Sequence, residues 1–211
     1  MRESSVGILR IDASMRQQDS VSRGLTDRLI NQLAGRIADC EIMRRDLRIG
    51  VGHTSGAWRD ASLTKPEARS GDDRALLAQS DALVSELDRA DIIVVAMPIY
   101  NFSVPTSFRA WVDLVCRDNV DGRRANDANA RPANKRAVVI LTSNYTRLGD
   151  GDEFAANYTS FILKFLGAAD VQFINATGLG NDRDAVINAA NAEVDKHALQ
   201  ILSDGVSTAA Q

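Results

Sequence analysis

The chain has 211 residues, 45% hydrophobic and 25% charged, a composition typical of globular proteins and a length that suits one domain over residues 1–211 better than two. Its formal net charge of −3 gives no electrostatic reason to expect nucleic acid or an anionic membrane as a partner. No apolar run approaches the ~20 residues that span a bilayer, the N-terminus enters a strand rather than a leader, and two distant cysteines, Cys40 and Cys116, form neither a disulfide framework nor a zinc pattern, so a reducing cytoplasm is the expected compartment.

Residues 6–11 read as the first strand, and 22–33 as a helix with Leu25, Leu29 and Leu33 on one stripe. Residues 40–47 form a weaker strand. Residues 50–71 have no clear period and read as a long excursion. The segment 72–89 predicts a helix with Leu76, Leu83 and Leu87 facing inward and Asp72 and Asp73 at its start, where negative charge is favoured. "IIVVAM" (92–97) is a continuous apolar run, the mark of a strand covered on both faces. Thr106 is the expected cap of the next helix, in which Phe108, Trp111, Val112 and Val115 fall at i, i+3, i+4 and i+7. Residues 118–134 are polar and basic and read as a surface loop. The last strands fall at 136–144 and 171–178, and the last helices at 154–166 and 182–202.

Strands and helices alternate five times. That order predicts a three-layer α/β sandwich with a parallel sheet, best matched by the flavodoxin-like order 2-1-3-4-5. Ligands of such sheets bind beyond the carboxyl ends of the strands. The chemistry is therefore expected after Ile11, Met97 and Leu141.

The first of these loops, "DASMRQQDSVSRGLT", matches neither GxxxxGK[ST] nor GxGxxG. Ser14, Ser20 and Ser22 lead into a helix, whose start favours an anion, and Arg16 or Arg23 could add charge. Read alone, the loop is equally a serine-capped helix start. The second loop, "PIYNFSVP", is stiffened by Pro98 and Pro105 and carries Tyr100 and Phe102 toward the rim. Its aromatics either pack back on the core or form a wall for a planar ring, with the N–H groups of Asn101 and Phe102 at the ring's edge. The third loop offers Thr142, Ser143, Asn144 and Tyr145, as a polar turn or as the rim of a site. A phosphate pocket, an aromatic wall and a polar rim together suit flavin mononucleotide (FMN).

The segments "SMRQQDSVSRGLT", "AWRDASLTKPEARS", "LAQSDALVSELDRADIIVVAMPIYNFSVPTSFRAWVDLVCR" and "KRAVVILTS" carry a resemblance over residues 6–201. The chain resembles the bacterial FMN-dependent NADH-azoreductases, flavodoxin-like NADH:quinone oxidoreductases. The resemblance implies phosphate contacts at Ser14, Ser20, Val21 and Ser22. It implies ring contacts at Ile99, Tyr100, Asn101 and Phe102, and a further segment at Thr142, Ser143, Asn144 and Tyr145. It also implies a homodimer and ping-pong transfer of two electrons from NADH through FMN to a quinone or azo acceptor. No catalytic protein nucleophile or metal is required. Ile99 replaces the family's methionine, and Ser143-Asn144-Tyr145 replaces its Arg-Gly-Gly. "DGRRANDANARP", with Arg123 and Arg124, stands where the family has an aromatic loop over the substrate. An electron carrier or a non-catalytic flavin-binding regulator are the alternatives.

Other residues have plainer readings. His53 and His197 have no metal-spaced neighbours, and Cys116 reads as a packed helix residue. Trp58, in a polar excursion, is expected at a dimer contact or a pocket wall.

Overall fold

The computed structural model describes residues 5–117 and 134–203. The expected loop at 118–134, with Arg123 and Arg124, lies outside the described residues but for Asn134. Five parallel strands, β1 (Val6–Asp12), β2 (Cys40–Asp46), β3 (Ile92–Pro98), β4 (Lys135–Thr142) and β5 (Ala168–Ala176), form one sheet in the order β2-β1-β3-β4-β5. Asp12 pairs in register with Ala96, Pro98 with Thr142, and Thr142 with Ala176. The carboxyl ends of the central strands therefore open onto one edge.

Helices cover both faces. Ile8, Val94, Val138 and Ile140 pack against α1 (Val21–Ala34) and α6 (Arg183–Ser203). Leu9, Ile11, Val95 and Leu141 pack against α3 (Gly71–Arg89), α4 (Thr106–Val115) and α5 (Ala155–Phe165). Burial on both sides explains why β3 reads as an unbroken apolar run. Gly7 is required where β1 passes the end of α3, since a Cβ there would lie 2.1 Å from the Arg89 carbonyl oxygen. No helix among the described residues is long and apolar enough to cross a membrane.

Three local expectations change. The excursion contains a helix, α2 (Gly56–Leu63), capped by the Ser55 hydroxyl, and it buries Trp58 in the α3–α4 side of the core. Trp58 is a core residue here, because an eight-residue helix can turn one large side chain inward without a visible period. In α3 the buried leucines are Leu77, Leu83 and Leu87, while Leu76 is exposed. The helix start agrees with the acidic pair: Ser70 and Asp73 form a reciprocal capping box. Thr106 is the first residue of α4 and does not cap it; Pro105 holds the N-cap position without a side-chain bond. Its fixed φ already sets the entry to the helix.

Candidate active site

Three loops meet at the open edge. The first begins where β1 ends. Ser20 caps α1, its Oγ accepting from the Arg23 N–H at 3.5 Å. Ser20 Oγ also donates to Ser14 Oγ at 3.1 Å and lies 3.2 Å from Ser22 Oγ. Three hydroxyls thus converge on the first turn of α1, with Ser14 and Ser22 buried beneath Ser20. No acidic side chain occupies that turn, so its unpaired N–H groups favour an anion. Of the two expected cations, Arg16 lines the cleft and Arg23 does not, turning back to Asp46 and Asp12.

The second loop is a tight reversal. Tyr100 N–H donates to the Ser103 carbonyl at 2.9 Å, and Ser103 N–H returns the bond at 3.1 Å. Between them Asn101 and Phe102 both have positive φ, +46° and +70°. Asparagine tolerates this region; phenylalanine is strained there, at a cost on the order of 1–3 kcal/mol. The surroundings enforce the strain. Ile99 N–H donates to the Thr142 carbonyl at 2.7 Å, Phe154 N–H to the Phe102 carbonyl at 2.9 Å, and Met15 N–H to the Tyr100 hydroxyl at 3.3 Å. Hydrogen bonds to three neighbouring segments, more than the two prolines, make this loop rigid. Both aromatic rings remain accessible, Tyr100 at 37% and Phe102 at 51%.

The third loop follows β4 and is strapped to the loop after β5. Leu179 N–H donates to the Ser143 carbonyl at 3.0 Å, and Gly180 N–H to the Asn144 carbonyl at 2.8 Å. Ser143 Oγ donates to the Thr146 carbonyl, so this hydroxyl staples its own loop and is not a free donor. Tyr145 lies against Gly180: a Cβ there would come within 2.6 Å of the Tyr145 ring. Lacking a side chain, Gly180 gives the ring a place on the rim.

One cleft of about 680 Å³ gathers all twelve expected residues: Ser14, Ser20, Val21, Ser22, Ile99, Tyr100, Asn101, Phe102, Thr142, Ser143, Asn144 and Tyr145. Leu179 and Arg183 also line it, from the far wall. Sequence reasoning missed both, although β5 ends at the same edge and the loop after it belongs to the same rule. The residues fit FMN. A hydroxyl cradle at a helix start, with Arg16 and Asp19 both on the nearby wall, suits the phosphate, and a rigid aromatic turn suits a flat ring. Among the described residues, no three His, Cys, Asp or Glu side chains cluster as a metal site.

This sheet order, with an anion cradle after its first strand and an aromatic turn after its third, defines a flavodoxin-like nucleotide-binding protein. A family profile described as having a flavodoxin-like fold matches residues 7–198. The FMN-dependent NADH:quinone oxidoreductase 1 of Colwellia psychrerythraea is 39% identical over 192 residues, covering 90% of this chain and all of the relative. An FMN-dependent NADH:quinone oxidoreductase of Thiobacillus denitrificans is 41% identical over 193 residues, covering 89% and 93%. The chain belongs to the family of these flavodoxin-like oxidoreductases. Among solved structures, an FMN-dependent NADH-azoreductase from Bacillus anthracis in complex with FMN superposes with a TM-score of 0.77. The two are 19% identical, and the match covers 92% of this chain and 99% of the other. At that identity the likeness concerns the fold.

Proposed function

We propose that this protein binds FMN in the cleft and reduces quinones, and azo compounds, at the expense of NADH. The convergence of the three-serine cradle and the Tyr100–Phe102 turn on one cleft carries this reading. FMN, when bound, supplies two-electron hydride chemistry between NADH and the acceptor. Ser14, Ser20, Ser22 and the first N–H groups of α1 hold the phosphate. Asn101 and Phe102 sit at the centre of a turn closed by bonds from Tyr100 and Ser103, so their N–H groups are available to the ring's polar edge. Phe102 and Tyr145 are exposed and line the cleft, and they would offer flat apolar faces to a planar donor or acceptor.

The active form on this reading is a homodimer that closes the cleft from outside. Phe154, whose N–H bonds the Phe102 carbonyl, and Phe161, seven residues further along α5, are both exposed, and on this reading a second copy covers them. Sedimentation at micromolar concentration is expected to give a dimer; an active monomer contradicts it. The decisive test of function is stopped-flow mixing of FMN-loaded protein with NADH and then with a benzoquinone. Bleaching by NADH followed by rapid recovery of flavin colour on adding quinone is expected. Protein that takes up no FMN defeats the reading, and slow recovery with a quinone but fast recovery with a redox protein points to an electron carrier.

A further inference from the structure

We infer that Arg23, with Asp46 and Asp12, is the positioning device of the serine cradle, fixing its shape without lending it charge. Arg23 follows the cap of α1 by three residues, yet its guanidinium turns behind the cradle. Its Nη2 donates to the Ser14 carbonyl at 2.7 Å and to Asp46 Oδ1 at 2.7 Å. Its Nη1 donates to Asp46 Oδ2 at 3.2 Å and lies 3.3 Å from Asp12 Oδ2. One side chain therefore joins the ends of β1 and β2 and the first turn of α1 to the backbone of Ser14.

The partners are themselves fixed. Asp46 accepts from the Arg48 N–H at 3.0 Å. Asp12, 5% exposed, accepts from Arg10 Nε at 2.9 Å, and Arg10 reaches on to Asp27 of α1. Arg10, Arg23 and Arg48 thus face Asp12, Asp27 and Asp46, three charges of each sign, so the cradle gains no net cation from Arg23. What it gains is a fixed Ser14, whose hydroxyl is bonded to Ser20. A planar fork can hold a carbonyl and a carboxylate at once, and a lysine ammonium reproduces this only in part. A second cleft of about 520 Å³ opens on the same network, lined by Arg10, Asp12, Arg23, Asp27 and Asp46 among others, which places the device within reach of solvent on its far side.

This inference rests on the proposed flavin site, and riboflavin, which lacks the phosphate, separates the two. Apoprotein is titrated with FMN and with riboflavin, following the quenching of flavin fluorescence. Arg23→Met is expected to weaken FMN at least about tenfold, the scale of a lost charged hydrogen bond, while riboflavin shifts by less than about twofold. Arg23→Lys should recover part of the loss. The double variant R23M/D46N removes one unmatched carboxylate, yet it should stay weak because the Ser14 tether is still missing. An unchanged FMN-to-riboflavin ratio in R23M overturns the inference, as does full recovery in the double variant, which would make charge balance the whole effect. Should R23M fail to fold, Asp46→Asn loosens the anchor while keeping the Ser14 bond, and a smaller fall in the same ratio is expected; no fall overturns the inference. A wild type that binds neither flavin defeats the functional reading itself.

Discussion

Ser20 and Phe102 show what single residues contribute. Replacing Ser20 and Ser22 together by alanine removes two of the three converging hydroxyls. FMN affinity should fall by about 1–3 kcal/mol while the fold survives, and a flavin titration with a melting curve checks both. Phe102→Gly should have a different signature. At φ +70° glycine relieves strain, offset by its larger chain entropy, so stability should move by no more than about 1 kcal/mol. Flavin affinity should nevertheless drop with the loss of the ring; a large fall in Tm with unchanged affinity would contradict the strained wall. That these residues share one cleft was legible from their places after β1, β3 and β4 together with the family resemblance, since each loop taken alone had an equally plain structural reading. Arg23 was not, since its direction depends on Asp46, which lies 23 positions away and belongs to another strand. Ser143 was not, because a hydroxyl that donates to its own turn looks in sequence like one free for a ligand.

At the scale of elements, α3 offers a test of register. Leu76 and Leu77 are adjacent and both fit a leucine stripe, but only Leu77 reaches the core. Leu77→Ala should therefore cost about 2–5 kcal/mol by leaving a cavity, and Leu76→Ala within about 0.5 kcal/mol, measured by urea unfolding. Equal costs would place the helix face wrongly. Sequence periodicity located α3 and the acidic pair at its start but left its cap, Ser70, in the excursion, and it did not separate two neighbouring leucines, because the apolar stripe of a helix is wide enough to admit either. It missed α2 for another reason: two turns are too short for a period to emerge, and Trp58 is their only large core side chain.

For the molecule as a whole, alternation of strands and helices favoured a parallel α/β sandwich, the order β2-β1-β3-β4-β5 agrees with the flavodoxin-like expectation, and the cleft lies at the strand ends where that order places it. Stability should depend on pH through His197, which sits half-buried on α6. Burial pushes its imidazole below the ordinary value of 6.5, and Lys196 adds to this against the pull of Glu193. As pH falls below about 6.5 the unfolded chain takes up the proton before the folded one, so this contribution to stability is present above that value and lost on acidification toward the lower folded pKa. His197→Gln should flatten that slope between pH 7.5 and 5.5 in urea midpoints; an identical slope rules the histidine out as its source. The cleft takes residues from Ser14 to Arg183, so a ribosome must have added Arg183 before every wall is present. At about 5–20 residues per second, the serine loop waits roughly 8–35 s for α6. Until β5 emerges, β4 has an open edge. On the proposed reading, then, flavin uptake marks a chain synthesised through Arg183, and chains that end before it should stay colourless.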